Sequence, residues 1–462
     1  MLYYLFKWLH QIGLPGSGMF QYISFRSATA FVLSLIISIF IGKYFIKYLR
    51  RKQIGETVRD LGLAGQSEKA GTPTMGGLII IAAILIPALL VCDLKNIYVL
   101  LMIFTTIWLG FLGFMDDYIK VFKKNKDGLS PRKKMLGQIV LGLGVGLVMY
   151  FHPDAVICEK VSTRPVMTPV ESALSVENQE SAQTPRIFGE AHHSTKTTIP
   201  FVKNNELDYA WLTRWLGDTT GKWSFIVFIL VVVFIIAAVS NGANLTDGLD
   251  GLATGTTSVI AVGIAILAYV SGNVVFADYL NIMYIPNIGE LVIFISAVIG
   301  ACLGFYWWNC YPAQIFMGDT GSLMLGGVVA VSCIIIRKEL LIPILCGVYL
   351  AQSLSVMTQV SYFKYTKKRY GEGRRIFLMA PLHHHYQKKG MHESKIVQHF
   401  IIIGLLLAVL TVVTLKVRYS PFTPFTSCTP FTPCTPFTSC TPFTSCTSCT
   451  PCTPFTPFTF NL

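Results

Sequence analysis

The chain has 462 residues, of which 53% are hydrophobic and only 13% charged, and its mean hydropathy is +0.56. Soluble domains carry about a quarter charged residues, so this composition excludes an ordinary soluble protein and points to an integral membrane one. The net charge of +13 does not indicate nucleic acid, because the basic residues fall in short clusters between apolar runs, as in cytoplasmic loops under the positive-inside rule.

The first element is MLYYLFKWLH, where Leu2, Leu5, Phe6 and Leu9 recur at helical spacing around Lys7 and His10. It is too short to span and lacks a small-residue cleavage site, so residues 1–24 read as an interfacial amphipathic segment. Runs long enough to cross a bilayer then follow at Ala28–Ile46, Met75–Val91, Ile97–Met115 and Met135–Phe151, within residues 25–151. Six more lie within residues 223–417, at Trp223–Val239, Leu252–Val270, Leu291–Trp308, Leu323–Ile336, Leu340–Tyr362 and Ile396–Val417. The expected fold is an all-α integral membrane protein of about ten transmembrane helices.

Lysine and arginine counts orient this bundle. Basic residues crowd the connections after the first run (Arg50, Arg51, Lys52, Arg59, Lys69), the third (Lys120 to Lys134) and the ninth (Lys364 to Lys395). Those connections are expected to face the cytoplasm, and an even number of crossings then puts both termini outside it. Residues 152–222 are long, mixed in charge and rich in Thr, Glu and Gln, with an apolar end around Trp211 and Trp215. They read as an extracytoplasmic insertion, either a loop or a small appended structure. In residues 418–462 the triplets PFT, SCT and PCT recur thirteen times from Pro421 to Thr459, a pattern that builds no packed core. That tail is expected to be a disordered, repeat-derived extension without a catalytic role. It holds six of the twelve cysteines, and the other six are scattered without CxxC spacing, so no metal or disulfide framework follows.

Several polar clusters interrupt the apolar pattern, all on the predicted cytoplasmic side. In EKAGTPTMGG the glycines permit close backbone approach, and Lys69 can meet a phosphate or a nucleobase carbonyl, or simply be a juxtamembrane lysine. In FMDDYIK, Asp116 and Asp117 sit at the end of an apolar run, where charge is expensive unless it is solvated or used. SNGANLTDGLDGLATG sets Asp247 and Asp250 three residues apart beside Asn241, Asn244 and Thr246, a polar density that packing does not require. NCYPAQIFMGDTGSL places Asp319 at a predicted helix start, where it could be an N-cap, with Phe316 offering an aromatic face for a base. APLHHHYQKKG reads as a pocket-lining loop with at most two of its three histidines inward; a zinc site there lacks the usual ligand spacing.

Carboxylates and cations gathered on one membrane face imply a divalent metal and anionic groups. Sparse aspartates suit Mg²⁺, which completes its shell with substrate phosphates and water. No GxxxxGK[ST] loop is present, which argues against nucleotide hydrolysis of the usual kind. A site at the membrane boundary suits a soluble phosphate donor meeting a lipid acceptor.

GTPTMGG, GFMDDYIK, NLTDGLDGL, FMGDTGSL and PLHHHY, in this order, resemble the phospho-N-acetylmuramoyl-pentapeptide transferase family, within the polyprenyl-phosphate N-acetylhexosamine-1-phosphate transferase superfamily. The likeness runs from about Phe20 to Val417. It implies an Mg²⁺-dependent enzyme of the bacterial inner membrane with a cytoplasmic catalytic cleft. Such an enzyme joins UDP-MurNAc-pentapeptide to undecaprenyl phosphate, releasing UMP and lipid I for peptidoglycan. The resemblance assigns catalysis to Asp116, Asp117, Asp319 and His383, with Asp319 as the metal ligand. It assigns substrate binding to Lys69, Thr74, Lys120, Asn244, Asp247, Asp250, Asn309, Phe316, His384 and His385, with Phe316 stacking on uracil. Membrane lipids and a second copy of the chain, as a homodimer, are the further partners expected. The long insertion and the repeat tail depart from the family pattern without touching these motifs.

Because a phosphomonoester is mostly dianionic at neutral pH, no strong base is demanded. A one-step displacement with Asp116 orienting the lipid phosphate is expected, and a two-step route through a phospho-aspartate is the alternative. Two other readings remain: a transferase of N-acetylglucosamine phosphate, and, from a different class, an ion-coupled transporter. A transporter would place acids near mid-bilayer in repeated halves, and neither feature is visible in this sequence.

Overall fold

The computed structural model describes residues 1–51, 71–123, 128–160, 188–202, 206–215 and 223–419. Lys69, the middle of the 152–222 insertion and the repeat tail lie outside the described residues.

The chain runs α1 (Leu2–Gln11), α2 (Ile23–Arg51), α3 (Gly77–Val91), α4 (Ile97–Phe122) and α5 (Pro131–Phe151), then the short strands β1 (Lys196–Thr198), β2 (Phe201–Val202) and β3 (Glu206–Asp208). It continues with α6 (Ala210–Trp215), α7 (Ser224–Thr246), α8 (Leu252–Ser271), α9 (Val274–Leu280), α10 (Gly289–Asn309) and α11 (Gly318–Ile335). After a 3₁₀ turn at Glu339–Leu341 come α12 (Ile342–Leu345), α13 (Gly347–Tyr370), α14 (Leu382–Lys388), α15 (Glu393–Thr414) and β4 (Arg418–Tyr419). Among the described residues eight helices are long and apolar enough to cross a membrane, and a ninth counts if Glu339–Leu345 and Gly347–Tyr370, bent by 79°, form one span. Nine of the ten predicted apolar runs each fall on a single helix, although α3 has only 15 residues, below the length of an upright span; the run Leu340–Tyr362 is instead broken over the 3₁₀ turn, α12 and α13.

The centre of the bundle is α11, buried at every residue from Thr320 to Ile335 and surrounded by α3, α4, α7 and α8. Small residues let its neighbours come close, which is how helices associate when lipid and side chains are equally apolar. A Cβ on Gly113 of α4 would collide with the carbonyl oxygen of Asp319, and one on Gly77 of α3 would lie 2.6 Å from the Cα of Gly321. On the other side Ser34 Oγ of α2 lies 2.6 Å from the carbonyl oxygens of both Ala83 and Ala297, its one proton serving either, and so ties α2 to α3 and α10.

At the end of α11 remote from Asp319, the described part of the insertion folds over the helix terminus. β1 pairs antiparallel with β3, and the Thr198 amide donates to the carbonyl of Arg337 at 3.1 Å. Arg337, Lys338 and Glu339 are buried there; Lys338 Nζ donates to the Thr198 hydroxyl at 2.9 Å, and the Thr197 hydroxyl donates to the Glu339 carboxylate. Three charged side chains are thus buried together at this connection, held by hydrogen bonds to Thr197 and Thr198.

Candidate active site

Two helices, α4 and α11, bring the acidic centre together. Asp116 and Asp117 lie on α4 ahead of its last turn rather than at its tip, because the helix continues to Phe122. Asp319 lies in the first turn of α11. One oxygen from each of the three carboxylates lies within 4.8 Å of the others.

The two neighbouring aspartates do different things. Asp117 Oδ1 accepts the backbone N–H of Asp319 at 3.1 Å, while Oδ2 accepts the N–H and the hydroxyl of Thr320 at 2.9 and 2.6 Å. It therefore caps α11 from another helix, satisfying amides that have no intrahelical partner and meeting the positive end of the helix dipole. Gly318 makes this approach possible: it has φ +72°, and a Cβ there would sit 2.5 Å from Asp117 Oδ2. Asp319 is thus relieved of any capping duty. Its Oδ1 accepts Asn244 Nδ2 at 2.9 Å, and its Oδ2 lies 3.2 Å from Lys120 Nζ and 2.6 Å from Lys134 Nζ.

Asp116 shares both ammonium groups, its Oδ2 lying 2.6 Å from Lys120 Nζ and 3.0 Å from Lys134 Nζ, while Oδ1 accepts the Leu129 amide at 2.6 Å. Lys134, in the first turn of α5, is a site residue that in the sequence looks only like loop charge. Its one visible signal was membership of the basic run that begins at Lys120. Two carboxylates and two ammonium groups thus form a compact four-charge cluster at the Asp319 end of α11. The carboxylates are an all-oxygen donor set, which a hard divalent cation prefers. Asp116 and Asp319 fit such an ion; Asp117 is already committed to α11.

A second cluster lies beside the first. Asp247 ends α7 as its C-cap, and Asp250 is buried, with its Oδ2 accepting the Ala313 amide at 3.0 Å. Its own amide donates to Glu393 Oε1 of α15 at 2.7 Å, and the Gly251 amide donates to Asn309 Oδ1 at 3.1 Å. Asn309 is buried, its Nδ2 donating to the Ile315 carbonyl at 2.9 Å. Half-buried Phe316 forms a backbone bridge to the glycine-rich segment: its amide donates to the Pro73 carbonyl and its carbonyl accepts the Gly76 amide, both at 2.9 Å. Thr74 is buried in that segment. Residues 310–318 therefore link the Asp250 cluster to Asp319, and Glu393, which no sequence motif marks, is a second participant.

The three histidines lie on a helix, α14, rather than on the expected loop, so their side chains diverge by about 100° per residue. His383 is fully buried, with Nδ1 3.1 Å from Gln352 Oε1 and the ring against Gly248. Burial and the adjacent His384 hold its pKa well below the usual imidazole value, so it is neutral at physiological pH. Half-buried His384 reaches Gln387 at 3.1 Å, and His385 Nδ1 accepts the Leu378 amide at 3.1 Å.

Such a bundle of membrane-length helices, with three carboxylates and two lysines gathered at one end of its central helix, defines a polytopic membrane protein with a polar centre able to hold a metal ion. In keeping with that class, residues 186–337 match the family model described as glycosyl transferase family 4. Residues 69–81 match the first signature of phospho-N-acetylmuramoyl-pentapeptide-transferase. Proteins of that name from Flavobacterium psychrophilum and Parabacteroides distasonis are 58% and 57% identical to the chain, and one from Porphyromonas gingivalis is 52% identical. Each comparison covers 90% of this chain and the whole of the relative. The chain belongs to the phospho-N-acetylmuramoyl-pentapeptide-transferase family.

Proposed function

We propose that the chain transfers phospho-N-acetylmuramoyl-pentapeptide from UDP-MurNAc-pentapeptide to undecaprenyl phosphate, giving lipid I and UMP in the bacterial inner membrane, with its acidic mouth toward the cytoplasm. The observation that carries this reading is the convergence of Asp116, Lys120, Lys134, Asn244 and Asp319. It stands at the mouth of a membrane bundle whose relatives bear the transferase's name.

An oxygen of the lipid phosphate attacks the β-phosphorus of the donor, the bond from that phosphorus to the bridging oxygen breaks, and UMP leaves. Anion attacking anion is the obstacle, so catalysis is positioning and charge neutralisation. Lys120 and Lys134 supply positive charge where the phosphates meet. Asp116 orients the acceptor and takes its residual proton, and Asp117 fixes the N-terminus of α11 so that Asp319 faces the reacting groups. Asp319, with Asp116 beside it, would hold Mg²⁺, which when bound adds positive charge against the phosphoryl oxygens. On the donor side Phe316 stacks on uracil, and Asp247, Asp250 and Thr74 border the nucleotide with Lys69. Asn309 and His383 support that pocket from below, while His384 and His385 face the substrate.

The test is UMP release by the purified chain with the muramoyl and the N-acetylglucosamine donors side by side, with and without Mg²⁺. Release from the muramoyl donor alone, dependent on the metal, is expected; preference for the other donor would overturn the substrate assignment.

A further inference from the structure

One helical turn deeper than the acidic centre lies a second polar layer that the mechanism above does not use. Gln138 of α5 follows Lys134 by four residues, Ser240 and Asn241 of α7 precede Asn244 by four and three, and Leu323 of α11 follows Asp319 by four. Residues at these spacings stack on one helix face. Each member of the deeper layer therefore sits beneath a residue that touches Asp319, or beneath Asp319 itself.

The layer is closed by hydrogen bonds that run across all three helices. Gln138 Oε1 accepts Asn241 Nδ2 at 2.9 Å, and Gln138 Nε2 donates to Ser240 Oγ at 3.4 Å. Ser240 Oγ in turn donates to the Leu323 carbonyl at 3.0 Å. Gln138 and Ser240 are both 0% exposed, and an amide placed in an apolar bundle costs free energy unless something requires it. The helices also meet closely here: a Cβ on Gly326 would lie 2.7 Å from the Cα of Ser240.

We propose that Gln138 is a positioning residue for the transferase reaction. Bridging to Asn241 and Ser240, it sets the register of α5 against α7 and, through Ser240, of α7 against α11. That register determines whether Lys134 Nζ and Asn244 Nδ2 reach the two oxygens of Asp319 together. Gln138 touches no substrate, so its effect passes through the charge and geometry of Asp319. This rests on the transferase reading for its kinetic consequences and on the helix geometry alone for its effect on cation binding.

The experiment compares full-length wild type with Gln138→Met, which keeps the volume and removes both hydrogen bonds, and with the exchanged pair Gln138→Asn/Asn241→Gln, which restores an amide bridge of the same total length. Val140→Ala, on an exposed face of α5, is the control. Expected for Gln138→Met are a kcat about 10- to 100-fold lower per folded enzyme and a Mn²⁺ affinity, read by electron paramagnetic resonance, about tenfold weaker, the usual scale for losing a supporting partner. The KM values for donor and lipid should stay within about threefold, and the exchanged pair should recover most of the kcat. Unchanged kcat and Mn²⁺ affinity, with or without a lower melting midpoint, would assign Gln138 to packing and overturn the proposal, as would an exchanged pair no better than Gln138→Met. If wild type releases no UMP the transferase reading fails, and the Mn²⁺ comparison still decides the role of Gln138.

Discussion

The carboxylate of Asp117 accepts the backbone N–H groups of Asp319 and Thr320 across the interface of α4 and α11. Adjacent acids in one motif are thereby separated in role: one holds a helix, the other shares two lysines with the acid at that helix's start. The separation has a measurable consequence. Asp319→Asn should abolish UMP release by about 10³-fold or more, with little change in melting midpoint, because Lys120 and Lys134 keep Asp116 as partner. Asp117→Asn should reduce both activity and stability, since one amide oxygen replaces an anionic cap worth about 1–2 kcal/mol. Melting curves in detergent beside activity assays distinguish the two, and equal destabilisation by both substitutions would remove the distinction.

Lys134 offers a second prediction. It contacts both Asp116 and Asp319, so replacing it by Gln leaves those acids with Lys120 as the remaining cation within ion-pair distance among the described residues. Lys134→Gln should lower kcat by about 10²-fold while the donor KM changes far less, because its charge acts on the reacting phosphates rather than on the nucleoside. Lys133→Gln, on the neighbouring exposed position, should be near wild type. Steady-state kinetics with both substrates varied checks this, and a loss confined to donor KM would place Lys134 at the nucleotide instead.

How far the sequence could reach is visible in these same residues. Most apolar runs read well because hydrocarbon thickness sets their length; the run Leu340–Tyr362 did not, because composition does not show the 79° bend that breaks it. Asp116, Asp117 and Asp319 stood out because charge near hydrocarbon is costly and therefore informative, and the fold brings one oxygen of each within 4.8 Å of the others. What escaped was pairing: nothing in FMDDYIK tells which aspartate reaches α11, and Lys134 looks like any loop lysine until α5 brings it against Asp319. Glu393 and Gln138 escaped for the same reason, since their partners lie 143 and 103 residues away. PLHHHY reads as a loop because three histidines argue against a shared face, yet it forms α14, since a helix needs only one of them buried.

Gly113 and Gly77 test the close approach of helices around α11. A methyl group on Gly113 would meet the Asp319 carbonyl, and one on Gly77 would meet the backbone of Gly321; backbone cannot move aside as a side-chain tip can. Gly113→Ala and Gly77→Ala should each cost about 1–3 kcal/mol through overpacking and displace Asp319. Gly144→Ala, which meets nothing within 4 Å, should be neutral or slightly stabilising. Melting midpoints of the three variants provide the comparison, and a Gly113→Ala protein as stable and active as Gly144→Ala would show that the helices have slack there.

His383 gives the acid dependence of the fold. Its folded pKa lies well below the ordinary value of 6.5, pushed down by burial and then by His384. The unfolded chain therefore binds a proton at this position more readily than the folded one. The stability His383 contributes is complete above about pH 6.5 and is progressively lost as pH falls below that value toward the folded pKa. Protonation would place a charge against Gly248 and so disturb the segment carrying Asp247 and Asp250. The melting midpoint of the wild type should accordingly fall between pH 7 and pH 5.5, while that of His383→Gln, which cannot take up the proton, should be lower at pH 7 and flatter across the range. Parallel curves for the two proteins would mean that the acid sensitivity arises elsewhere.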